Sequence, residues 1–137
     1  TGGNVVAIEE VPRERVNRYG VIDVERDMGR LVSVKGLVEK PPIDKAPSNL
    51  TIIGRYVLMP EVIGHLAKGE RGAGGEIQLT DGIAGLLRRE KVFAYKYAGQ
   101  RYDCGSREGF LQANVELALA HPVLGPGFRA FPKTVMA

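Results

Sequence analysis

Apolar residues along this chain recur in two rhythms, one of strands and one of helices. Short apolar runs bounded by Gly, Pro and charged residues read as strands at Val5–Val11, Val21–Val24, Leu31–Val38, Leu50–Met59 and Val92–Ala98. Spacings of three and four read as helices. Glu61–Lys68 follows Pro60, a residue suited to a helix start, and carries a stripe of Val62, Ile63 and Leu66. Glu76 to about Glu90 places Leu79, Ile83, Leu86 and Leu87 on one face. Arg107–Ala120 is capped by Ser106, has Glu108 in its first turn, stops before Pro122, and is expected to bury Leu111, Val115, Ala118 and Leu119. Strands alternating with amphipathic helices predict an α/β layer structure with the helices packed on a sheet. Arg13–Asn17 reads as a short turn or helix after Pro12, and the polar segment Arg26–Arg30 around Gly29 predicts a hairpin between strands 21–24 and 31–38. Ile43–Asn49 is a loop by composition, and residues 122–137, with Gly125, Pro126, Gly127 and Pro132, read as an irregular tail. Leu50–Met59 is the most apolar strand and is expected to be central, with Gly54 marking a bulge or a close approach.

Composition narrows the classes. A length of 137 residues, 44% hydrophobic and 26% charged, suits one domain with one core. No apolar run approaches the roughly 18 residues of a membrane span, so no membrane partner is expected. The single cysteine, Cys104, excludes an internal disulfide and fits a reducing, cytoplasmic setting. Two histidines and one cysteine make no structural zinc set. The net charge of +3 is spread over mixed signs, and no aromatics interleave with Arg88-Arg89, so no nucleic-acid partner is expected. The opening Thr1-Gly2-Gly3-Asn4, without Met and running into an apolar strand, is what a cut within a loop would leave.

The candidate chemistry gathers at Leu31–Pro42, where a strand delivers Glu39 and Lys40 and two prolines stop it. An ionised carboxylate only accepts hydrogen bonds and suits sugar hydroxyls, whereas an ammonium offers three donors and a charge and suits a phosphate. Successive strand residues point to opposite faces, so both meet one ligand only if the strand twists or ends there. The same pair also fits a solvated surface contact before a turn. Gly20 lets a ligand or backbone approach closely, or simply makes a turn. Gly69–Gly75 resembles an anion-holding loop, but neither GxGxxG after a strand nor GxxxxGK[ST] is present, Glu76 opposes phosphate, and a plain turn is favoured. Asp103, at a strand end before Cys104-Gly105, suits either a magnesium ligand or a brace for the next turn. His65 and His121 read as structural, and Cys104 as a small buried residue.

A series of strings adds specificity: Tyr19-Gly20-Val21-Ile22-Asp23, Val38-Glu39-Lys40-Pro41, Ala46-Pro47-Ser48-Asn49, Gly54-Arg55-Tyr56-Val57-Leu58, Gly72-Ala73-Gly74, Glu76-Ile77-Gln78-Leu79-Thr80-Asp81 and Asp103-Cys104-Gly105. In that order they resemble the C-terminal half of the bacterial UTP–glucose-1-phosphate uridylyltransferase (UDP-glucose pyrophosphorylase) family, over about Thr1 to Phe131. The resemblance implies a Rossmann-like mixed sheet flanked by helices, of which residues 1–137 would be the sugar-phosphate-binding part. It implies synthesis of UDP-glucose and pyrophosphate from UTP and glucose 1-phosphate, with magnesium, in carbohydrate biosynthesis. The family's sugar contacts fall on Gly20 and Glu39, its sugar-phosphate lysine on Lys40, which is also the candidate catalytic residue, and its second magnesium aspartate on Asp103. The family's Gly-x-Gly-Thr-Arg nucleotide loop and first magnesium aspartate have no counterpart here and would precede Thr1, so the chain alone is expected to be inactive. A face left by a missing half invites self-association, and a homo-oligomer is expected. The alternatives are a non-catalytic sugar-phosphate-binding module, or a thymidylyl- or adenylyltransferase of the same superfamily.

Overall fold

Each apolar run forms a strand. In the computed structural model, which describes residues 2–69, 71–72 and 75–135, these are β1 (Asn4–Glu10), β2 (Gly20–Met28), β3 (Leu31–Glu39), β4 (Leu50–Val57) and β5 (Val92–Lys96). They close into a ring in the order β1-β4-β2-β3-β5. β1 and β5 run parallel, whereas β1–β4, β2–β3 and β3–β5 are antiparallel, which is the mixed sheet expected. The β2–β4 seam rests on Val21 opposite Thr51. The predicted hairpin is present: Met28 faces Leu31 across Gly29-Arg30, with Gly29 at φ 87°. β2 runs well past Val24, because its charged residues Glu25–Asp27 ride the exposed end of that hairpin, where polarity does not prevent pairing. β4 lies between β1 and β2 as a central strand would, and Gly54 marks a bulge. From Val6 to Ile8 β1 passes from Tyr56 to Ile52, leaving extra β4 residues where Gly54 takes φ 76°.

Helices α1 (Glu61–Leu66) and α2 (Leu79–Leu86) close one side of the sheet. Val62, Ile83 and Leu86 share a core with Val6, Ile8, Ile22, Val32, Ile52 and Ala94, and Leu66, Leu79 and Leu87 pack on its margin. Ile63 departs from the expected stripe and is exposed, since Val62 and Leu66, one turn apart, already define the inward face. Gly82 permits the close approach of α1: a Cβ there would stand 2.7 Å from Leu66 Cδ2. α2 is shorter than Glu76–Glu90 because its ladder ends at Leu86, whose carbonyl accepts from both Arg89 and Glu90 N–H at 2.8 Å. Arg13–Arg18 and Ile43–Lys45 form short 3-10 turns, and Val11, Val16, Val21 and Ala46 make a second small core with Tyr19 against it. The string Ala46–Asn49 is structural here. Arg13 donates to the carbonyls of Ala46 and Ser48, Ser48 Oγ donates to Ile22 O at 2.6 Å, and Asn49 donates to Glu10.

The chain divides into two compact units, Thr1–Ala98 and Gly99–Ala137, rather than one body. In the second, α3 (Arg107–Ala120) begins as predicted, with Ser106 Oγ accepting from Gly109 N–H at 3.0 Å. Its expected buried face forms only in part: Leu111 is 63% and Val115 45% exposed, while Ala118 and Leu119 are half-buried and Gly109 and Ala113 are buried. Leu111, Val115, Ala118 and Leu119 do share one face at helical spacing, but the buried positions are the small residues Gly109 and Ala113. The tail read as irregular contains α4 (Gly125–Val135), which packs on α3. Pro126 sits in its first turn, where a missing N–H costs no intrahelical bond. The helix opens with Gly125 N–H donating to His121 O at 2.8 Å.

Candidate functional site

The β2–β3 ladder ends where Gly20 faces Glu39, and one further bond, Lys40 N–H to Tyr19 O at 3.0 Å, closes it. Lys40 then takes φ 45°, alone among the described non-glycine residues in having positive φ. This left-handed turn departs from the extended conformation usual before proline. It also answers the pleat. The strand stops at Glu39, and the turn swings Lys40 back until Nζ lies 3.9 Å from Glu39 Oε1. The Glu39 side chain is 13% exposed and that of Lys40 58%, so the carboxylate is fixed and the ammonium faces water.

Two residues not singled out from the sequence complete the cluster. Thr80 Oγ, in the first turn of α2, donates to Glu39 Oε2 at 2.6 Å. Tyr56, in β4, has its phenol held above the ordinary value, first by partial burial and then by the Glu39 carboxylate. The phenol therefore remains a donor at neutral pH. Both lie inside the quoted strings Gly-Arg-Tyr-Val-Leu and Glu-Ile-Gln-Leu-Thr-Asp, which was the available signal. Gly20 makes the cluster possible: a Cβ on it would lie 3.0 Å from Glu39 Oε2, 3.2 Å from Thr80 Oγ and 3.3 Å from Ile52 Cδ1. The structure thus brings Gly20, Glu39 and Lys40 together at the end of the β2–β3 ladder, with a largely enclosed carboxylate and a solvent-facing ammonium.

Asp103 belongs to the second unit. It is exposed, its Oδ1 accepts from Gly105 N–H at 3.2 Å, and its carbonyl accepts from Ser106 N–H and Oγ. The side chain braces the turn that starts α3, one of the two roles open to it. Among the described residues no group of three or more His, Cys, Asp or Glu could hold a metal ion. An exposed carboxylate is the donor type used by an ion that takes few protein ligands and completes its shell with substrate phosphates. Cys104 is exposed, not buried, because it sits on that same turn. His121 is structural, its Nδ1 accepting from Val123 and Leu124 N–H at 3.2 Å each, and His65 packs against Gly85. The glycine-rich segment keeps a turn, with Gly75 N–H donating to Gly72 O. Its Glu70, Ala73 and Gly74 lie outside the described residues.

A mixed sheet under helices is the fold of nucleotidyltransferases. The chain belongs to the nucleotidyl transferase family, whose model matches residues 2–119. It is 56% identical over 107 residues to a UTP–glucose-1-phosphate uridylyltransferase of Komagataeibacter xylinus, covering 78% of this chain and 38% of that protein. Against a uridylyltransferase of the same name from Staphylococcus epidermidis it is 44% identical over 133 residues, covering 97% of this chain and 46% of that one. The crystal structure of a UDP-glucose pyrophosphorylase complexed with UDP-glucose superposes with a TM-score of 0.82 at 41% identity, over 87% of this chain and 45% of that one. The chain therefore spans less than half the length of these relatives.

Proposed function

We propose that this chain supplies the sugar-phosphate side of an enzyme that makes UDP-glucose and pyrophosphate from UTP and glucose 1-phosphate. The observation that carries this reading is the left-handed turn at Lys40, which sets its ammonium 3.9 Å from the Glu39 carboxylate at the end of the ladder. Glu39 accepts from sugar hydroxyls, Gly20 lets the sugar come close to backbone, and Lys40 holds the sugar phosphate. That phosphate oxygen attacks the α-phosphorus of UTP in line, and pyrophosphate leaves. The protein's contribution is positioning and charge stabilisation. Lys40 draws the nucleophilic phosphate to the reaction centre and offsets its charge. Magnesium would supply charge neutralisation between the two anions, and Asp103 is the residue of this chain that would hold it. A cytoplasmic location, a role in carbohydrate biosynthesis and self-association belong to the same reading.

The test is a heteronuclear NMR titration of the chain with glucose 1-phosphate and, separately, UTP. Shifts are expected at Gly20, Glu39 and Lys40 with the sugar phosphate. Loss of a charge-assisted bond costs about 1.5–3 kcal/mol, so Lys40→Ala should weaken glucose 1-phosphate binding by about ten- to a hundredfold. Equal affinity in Lys40→Ala would remove the lysine from the site. A second reading, a non-catalytic sugar-phosphate-binding module, is favoured by the structural task already held by Asp103 in its own turn. Glucose 1-phosphate binding with no pyrophosphate release, in an assembly that also binds UTP, would select it.

A further inference from the structure

Glu39 can do its work only if its carboxylate is aimed. Its two oxygens are in different circumstances. Oε1 has Lys40 Nζ at 3.9 Å, whereas Oε2 is held by Thr80 Oγ at 2.6 Å. Thr80 is itself buried, 7% exposed, and reaches Glu39 from a separate element. A threonine in a helix's first turn can satisfy backbone N–H groups, yet α2 begins at Gln78 with no side-chain cap, and the Thr80 hydroxyl goes to Glu39 instead. An ionised carboxylate only accepts, so the hydroxyl is the donor. The bare Cα of Gly20 then leaves just enough room for both groups, since a Cβ would crowd Oε2 and Oγ together.

We propose that Thr80 is the positioning residue for Glu39: it anchors Oε2 and thereby presents Oε1 to the sugar hydroxyls beside Lys40. This rests on the sugar-phosphate reading of the site. The two oxygens divide the labour, one tied to the fold and one given to the ligand. Sugar hydroxyls are small targets, and a carboxylate free to rotate about its terminal torsion would present either oxygen or neither.

Thr80→Val keeps the side chain's shape and removes the donor, and Thr80→Ser keeps the donor and removes a methyl. In the same NMR titration with glucose 1-phosphate, Thr80→Val should weaken binding about tenfold, the loss expected of one charge-assisted bond, and Thr80→Ser should stay within about threefold of the unsubstituted chain. In a Glu39→Gln background, Thr80→Val should add less than about twofold, because residues acting as one unit are not additive. If the unsubstituted chain does not bind, or Glu39→Gln binds as well as it does, the reading of the site fails and this proposal with it. If Glu39→Gln weakens binding but Thr80→Val does not, or Val and Ser weaken it equally, only the role of Thr80 is overturned. Should Thr80→Val not fold, exchange of the Thr80 hydroxyl proton in the unsubstituted chain tests the same bond. Protection in the saturated complex supports the proposal, and exchange as fast as an exposed hydroxyl overturns it.

Discussion

At the scale of single residues, the site concentrates its demands on Gly20, Glu39, Lys40 and Thr80. Lys40 keeps a left-handed backbone at φ 45°, a conformation that costs an L-residue roughly 1–2 kcal/mol. Such strain persists only where the surroundings enforce it, and it clusters at functional sites. Here the ladder bond from Lys40 N–H to Tyr19 O holds it, against the extended conformation that a following proline favours. Gly20→Ala is the sharpest probe of the packing. Its Cβ would meet a carboxylate oxygen, a hydroxyl and Ile52 Cδ1, all within 3.3 Å. Overpacking of this kind costs about 1–3 kcal/mol, and the yielding group is Glu39. A lower urea midpoint together with weaker glucose 1-phosphate binding is expected. A stable variant with full affinity would show that the Glu39 carboxylate needs no such vacant space. Glycine and paired charge made Gly20, Glu39 and Lys40 visible in the sequence. Thr80 was hidden because its bond to Glu39 spans 41 residues, and nothing in the sequence gives the register of a helix on a strand.

At the scale of elements, legibility followed alternation. β1, β3, β4 and β5 stood out because one face of each is apolar. The outer half of β2 did not, because both its faces are wet and its pairing is held by backbone and by charge. Lys96 Nζ lies 2.6 Å from Asp27 Oδ2, tying β5 to the tip of the β2–β3 hairpin. Lys96, first, and the Gly29 N–H, second, hold the Asp27 carboxyl below the ordinary aspartate value. A carboxyl depressed in the folded state stabilises it above its unfolded value and loses that contribution as pH falls through the folded value. Lys96→Met should therefore remove part of the acid limb of stability, and the difference from the unsubstituted chain should shrink in high salt. Urea melts across the acidic range check this, and identical acid limbs would show that the exposed pair contributes nothing. α3 and α4 mark the opposite failure of sequence reading. The apolar face of α3 is only partly covered, with Leu111 and Val115 exposed and Ala118 and Leu119 half-buried, and a count of Gly and Pro hid α4, whose Pro126 lies where proline is tolerated.

At the scale of the whole molecule, the described residues carry a large apolar exposure. In the first unit Val57 is 70% exposed at the end of β4, and Met59 and Ile63 follow it. In the second unit Phe110, Leu111, Leu117, Val123 and Leu124 are exposed. Apolar patches beyond what isolated surface residues require mark interaction surfaces. Holding two reactants in line can lower a barrier by about 7–11 kcal/mol, and the glycine-rich nucleotide fingerprints are absent from these 137 residues. The 137-residue chain alone, given UTP, glucose 1-phosphate and magnesium, is therefore expected to release no measurable pyrophosphate. Sedimentation of the same sample should show association that grows with concentration, and charge at the apolar surface, as in Leu117→Lys with Leu124→Lys, should reduce it. Turnover near that of the Staphylococcus epidermidis relative would place the nucleotide-binding parts within these residues. A monomer at every concentration would mean that the exposed apolar residues are too scattered to form a joining surface.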